Sequence, residues 1–133
     1  MKVYVFGNED ISFDNQAIKI ADGLKGQIKG CEFVFVKPNQ DLPFVDEKFV
    51  VILDTIEGIE DIKVIEDTDL ERVSIGGKTT AHDFDLGFQL RYLKKLGKLG
   101  KVTLIGLPMN KKVDYLRIQS ILRKLVAQDI QGS

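Results

Sequence analysis

The sequence is poor in the residues that build covalent and metal-stapled scaffolds. It has one cysteine, Cys31, and one histidine, His82, in 133 residues. A lone cysteine makes no internal disulfide, and a lone histidine joins no histidine cluster, so zinc ribbons, thioredoxin-like pairs and knotted secreted scaffolds are excluded. No apolar run approaches the roughly 18 residues that cross a bilayer, and charge begins at Lys2. Neither a membrane partner nor a secretory leader is expected, and the location expected is cytoplasmic. Low-complexity linkers and internal repeats are also missing. What remains is 44% hydrophobic and 29% charged residues, the composition of one compact domain spanning residues 1–133.

The net charge of −1 conceals an asymmetry: residues 1–71 carry 16 acidic and 7 basic side chains, while residues 72–133 carry 4 acidic and 12 basic. The basic residues recur among core leucines in periodic segments, not in an arm interleaved with aromatics, so nucleic acid is not the expected partner. A solvated helix surface, or a basic face that docks an acidic partner, accounts for them.

Along the chain, Lys2 to Phe6 (KVYVF) reads as a strand closed by Gly7 and Asn8. From Asp14 onward, Ala17, Ile20, Ala21 and Leu24 fall at helical spacing. Asp14 is placed to cap that helix, and Phe13 to staple against Ile18. Glu32 to Lys37 is a second strand ended by Pro38, and Phe49 to Leu53 (FVVIL) a third, apolar on both faces and terminating in Asp54. Residues 56–74 read as irregular structure or a short hairpin. After Gly76 and Gly77, a helix carries Leu86, Leu90, Leu93 and Tyr92 on or beside its buried stripe, and Arg91, Lys94, Lys95 and Lys98 outward. Val102 to Leu107 is a further buried strand before Pro108, and the last helix repeats Ile118, Ile121, Leu122 and Leu125. This alternation predicts an α/β three-layer sandwich, with a mostly parallel central sheet and helices on both faces.

In such sheets ligands bind beyond the carboxyl ends of the strands. The rule selects the loop after the first strand (Asn8, Glu9, Asp10, then Asp14 and Asn15), Asp54, and the stretch Thr79, Thr80 and His82. Carboxylates and one imidazole suit a divalent transition metal. Asp14 can equally serve as a helix cap, and His82 as a hydrogen-bonded surface histidine. Asp54 is different, because a carboxylate directly after an apolar run pays a desolvation cost that asks for a positive neighbour. Other motifs fail. Gly77-Lys78-Thr79 imitates the end of a phosphate loop, but Arg72 stands where that loop needs glycine. No GxSxG elbow is present, and Cys31 has no histidine near it in sequence.

Three stretches together, VYVFGNEDISFDNQAI, VVILDTIEG and TAHDFDLGFQLRYLKKLGKLGKVTLIGL, resemble the hydrogenase maturation protease family. Its members are endopeptidases that trim a C-terminal extension from the large subunit of nickel-iron hydrogenases. The resemblance implies a hydrogenase large-subunit precursor as partner and peptide-bond hydrolysis as the chemistry. It also implies a metal-contacting and catalytic trio of a carboxylate opening the first helix, Asp54 and His82. No tightly bound cofactor is implied: the nickel recognised is the substrate's, with zinc or cadmium able to stand in for it in vitro. Either a metal-polarised water or a carboxylate base would then attack the peptide bond. The family's helix opens with two acidic residues, the second being the ligand. Here the pair is Asp14 and Asn15, so Asp14, with the neutral amide of Asn15 beside it, is the expected oxygen donor. The segment between Asp54 and His82 is also short for the family.

Two alternatives belong to other classes. One is a receiver-like signalling domain phosphorylated at Asp54, with Glu9 and Asp10 around a magnesium ion and Thr79 or Thr80 as switch. That reading lacks a lysine before Pro108, where Leu107 stands. The other is a non-catalytic domain that binds a partner protein through Arg91, Lys94, Lys95 and Lys98.

Overall fold

β-Branched and aromatic runs form the strands and 3.6-residue apolar stripes the helices, as the computed structural model shows for residues 1–7, 16–37, 41–56, 58–66, 86–109 and 111–132. The order is β1 (Lys2–Phe6), α1 (Gln16–Leu24), β2 (Glu32–Val36), β3 (Phe49–Ile56), β4 (Lys63–Glu66), α2 (Leu86–Lys95), β5 (Lys101–Pro108) and α3 (Tyr115–Gly132). The five strands form one sheet in the order β2-β1-β3-β5-β4, with β1, β2, β3 and β5 mutually parallel and β4 antiparallel to β5. No helix among the described residues is long and apolar enough to cross a membrane.

Strand alternation divides the core into two layers. Val3, Val5, Val51, Leu53, Ile105 and Leu107 face Ala17, Ile20 and Leu24 of α1 and Ile118, Leu122 and Leu125 of α3. On the other face, Tyr4, Phe6, Val50, Ile52, Val102 and Leu104 meet Leu90 of α2, Leu99 and the fully buried Phe44. Helices therefore cover both faces, and the expected three-layer sandwich is what forms. Asp114 caps α3, its Oδ1 accepting the Leu116 amide hydrogen bond at 3.0 Å.

Three local expectations change. Residues 63–66 are neither irregular nor half of a local hairpin, because they form the edge strand β4 against β5. Strand β3 does not stop before Asp54: Asp54, Thr55 and Ile56 continue the ladder opposite Gly106, Leu107 and Pro108. Tyr92 stands 56% exposed, off the stripe that buries Leu90. Lys94, Lys95 and Lys98 are exposed, as expected of the outward face of α2 and the turn that follows it.

The turn into β5 depends on one bare backbone position. A Cβ on Gly100 would stand 2.3 Å from the carbonyl oxygens of both Glu47 and Lys48. The segment is held there by Lys101 N–H donating to Lys48 O at 2.9 Å and Asp46 N–H to Lys98 O at 2.9 Å. Backbone cannot swing aside as a side chain can. Gly100→Ala is therefore expected to cost about 3 kcal/mol, read as a lower midpoint in thermal unfolding.

Candidate functional site

The chain runs from β1 through α1 to β2 on one side of β1, then returns to place β3 on the other side. This reversal makes the carboxyl ends of β1 and β3 the topological switch point, the position at which open α/β sheets bind ligands. Asp54 lies in β3 two residues before its end and is 1% exposed. By alternation it shares the α2 face with Ile52 and Ile56. Its Oδ1 accepts a hydrogen bond from the Thr55 amide at 2.8 Å. Across the ladder it is in register with Gly106, where a Cβ would come within 2.4 Å of Ile56 Cδ1. Glycine at 106 thus lets Ile56 close over the strand beside the carboxylate. A charged carboxylate at this depth is costly without compensation, and the Thr55 N–H supplies part of it.

Thr55 turns to the α1 and α3 face. It is fully buried, and its Oγ1 has no hydrogen-bond partner among the described residues. An unsatisfied buried hydroxyl is a standing penalty that an apolar group of the same shape avoids. Thr55→Val is accordingly expected to raise stability by about 1 kcal/mol in chemical denaturation.

The other expected site residues, Asp14, Asn15 and His82, lie outside the described residues, as do Thr79, Thr80 and the Phe13 staple. Among the described residues no three His, Cys, Asp or Glu side chains group as a metal cluster. Gln16, which directly follows Asn15 and opens α1, is described, and its Nε2 donates to the carbonyl oxygen of Lys111 after β5. The start of α1 is thereby tied to the loop that follows β5.

That tie belongs to a polar rim that local sequence patterns do not reveal. Lys111 pairs with Glu60, and Arg117 of α3 with Asp61 at 2.7 Å, so the segment after β3 is bound to the β5–α3 connection. The one available signal is the charge asymmetry: Glu60 and Asp61 come from the acidic half, Lys111 and Arg117 from the basic half. Both pairs are exposed and add little stability, but they fix where the loops sit. The hydrogen bond from Arg117, followed by that from the Ile62 amide, holds the Asp61 carboxyl below its ordinary range. Whatever stability this contributes is present above the ordinary carboxylate pKa and is lost as pH falls through the depressed value. In an NMR pH titration, Arg117→Ala is expected to move Asp61 upward, toward the ordinary value.

Two further titratable groups are structural. The Tyr4 hydroxyl donates to Glu47, and burial followed by that bond pushes its pKa far above the usual phenol range. Cys31 is half-buried beside the α1 and α3 core, and burial raises its thiol pKa, which is unlike an activated nucleophile.

No protein-family model matches the sequence, and no curated protein does. Solved structures do match. The hydrogenase maturating endopeptidase HybD from E. coli superposes with a TM-score of 0.64 at 15% identity, over 99% of this chain and 93% of that one. An endopeptidase from Escherichia coli gives 0.58 at 14% identity, over 98% of this chain and 90% of that one. An uncharacterized protein from Wolinella succinogenes gives 0.52 at 15%, over 98% and 96%. The chain therefore has the hydrogenase maturation protease fold along almost its whole length.

Proposed function

We propose that the chain is a hydrogenase maturation protease over its whole length, an endopeptidase that removes the C-terminal extension of a nickel-iron hydrogenase large subunit. The observation that carries this reading is the near-complete burial of Asp54 near the carboxyl end of β3, at the switch point between β1 and β3, in a fold shared with a hydrogenase maturating endopeptidase. The three sequence stretches that resemble the family include Asp54 and His82.

In this reading the nickel belongs to the substrate. Asp54 and Asp14 offer anionic oxygens, Asn15 a neutral one, and His82 an imidazole nitrogen, a donor set that suits nickel and tolerates zinc or cadmium. Engagement of the inserted metal would seat the precursor so that the scissile carbonyl meets an activated water. The protein needs no tightly bound cofactor of its own.

The receiver reading is weaker. Receivers have parallel sheets in the order 2-1-3-4-5, whereas here an antiparallel β4 takes the edge outside β5.

The test is to incubate the protein with nickel-loaded and nickel-free large-subunit precursor and to weigh the products. Release of the C-terminal peptide from the loaded precursor alone is expected. An intact loaded precursor, or equal cleavage of both forms, would overturn the proposal.

A further inference from the structure

The buried polar and charged side chains among the described residues are Asp54, Thr55 and Thr103. Asp54 accepts the Thr55 amide hydrogen bond, and the Thr103 hydroxyl donates to Glu66 at 3.3 Å. Thr55 Oγ1 alone of these has no partner, and Thr55 is 0% exposed. Valine would fill the same space without that penalty, so packing does not account for a hydroxyl at this position.

The fold supplies a partner for it. Helix α1 leaves the carboxyl end of β1 and leads to the amino end of the parallel strand β2. It therefore runs against the strands, and its first turn stands at the carboxyl end of the sheet, where Gln16 reaches Lys111 beyond β5. Thr55 lies one residue before the end of β3, at that same end. By alternation with Val51 and Leu53 it turns to the face that α1 covers. The first amides of a helix, here including Gln16 and Ala17, have no acceptor within it. A hydroxyl oxygen without a donor thus shares a face and an end of the sheet with amides that lack an intrahelical acceptor. Each also adjoins an expected metal donor, since Asp54 precedes Thr55 and Asn15 precedes Gln16.

We propose that Thr55 is a positioning residue of the metal-recognising site: its hydroxyl accepts a first-turn amide of α1 when Asp54 and the opening of α1 hold one ion between them. The inference deepens the protease reading and rests on it for the donor set. A hydrogen bond made only in the engaged state favours that state, and it relieves at the same moment a penalty that the free protein carries. Replacing the hydroxyl by a methyl group then moves stability and metal affinity in opposite directions. A residue that only fills space has no such effect.

The test is binding of cadmium ion to the full chain, followed by calorimetry. Thr55→Val is expected to bind about ten-fold more weakly than the unaltered chain while unfolding at a higher temperature. Thr55→Ser, which keeps the hydroxyl, should bind within two-fold of the unaltered chain. Hydrogen exchange read by NMR should show cadmium protecting the Gln16 or Ala17 amide in the unaltered chain and in Thr55→Ser, but not in Thr55→Val. Equal affinity in Thr55→Val, the same protection in it, or no cadmium binding by the unaltered chain would overturn the proposal. Precursor cleavage is scored separately. The expected cadmium differences without any cleavage would fail the protease reading and leave the role of Thr55 standing, whereas cleavage with equal cadmium affinities would fail the role of Thr55 alone.

Discussion

Asp54→Asn is expected to reduce cleavage of a nickel-loaded precursor by roughly 10³-fold while leaving the unfolding midpoint almost unchanged. The two effects separate because of how Asp54 is held. Asparagine has nearly the same size, and its Oδ1 still accepts the Thr55 amide hydrogen bond that the carboxylate accepts at 2.8 Å. The strand and its register with Gly106 therefore survive. What disappears is a negative charge, and a neutral amide oxygen is a poor metal donor. His82→Ala should cause a comparable loss. Comparing Asp14→Asn with Asn15→Ala then tells which of the two supplies the oxygen at the start of the first helix. A variant that cleaves normally and unfolds at higher temperature would make Asp54 a structural carboxylate and remove the basis of the protease reading.

Phe44→Ala should destabilise the protein by about 4 kcal/mol, lowering the unfolding midpoint by roughly 15 °C. Phe44 lies in the connection from β2 to β3, yet it is fully buried. Its ring stands 5.1 Å from that of Tyr4 in a tilted pair and 6.2 Å from that of Phe6 edge-on. The aromatic group fills the layer between the sheet and the α2 side, and its loss leaves a cavity that two β1 side chains cannot collapse into without leaving their strand. Phe44→Leu, which keeps most of the volume, should recover more than half of the loss.

Phe44 also marks where local patterns stop being informative. It sits beside Pro43 in a stretch with no periodicity, so nothing near it in sequence indicates burial. Strands β3 and β5 are legible because a strand covered on both faces must be continuously apolar. Strand β4 is not, because Lys63-Val64-Ile65-Glu66 is four residues long and becomes a strand only by pairing with β5 about forty residues later. The same partner moves the end of β3: an aspartate after an apolar run looks like a stop, but the ladder to Leu107 and Pro108 carries β-branched Thr55 and Ile56 onward. In the candidate site, Asp54 was legible as a carboxylate next to apolar residues. The Gln16–Lys111, Glu60–Lys111 and Asp61–Arg117 contacts were not, since each joins positions more than fifty residues apart.

The placement of β5 between β3 and β4 also governs how the chain can assemble during synthesis. Until residues 101–108 emerge, β3 has only β1 beside it and β4 has no partner in the sheet at all. Before then the flank of Val50, Val51, Ile52 and Leu53 is open, in the half of the chain that carries the surplus of negative charge, and like charge opposes association of such partly folded chains. Completion of the sheet therefore waits for the basic second half.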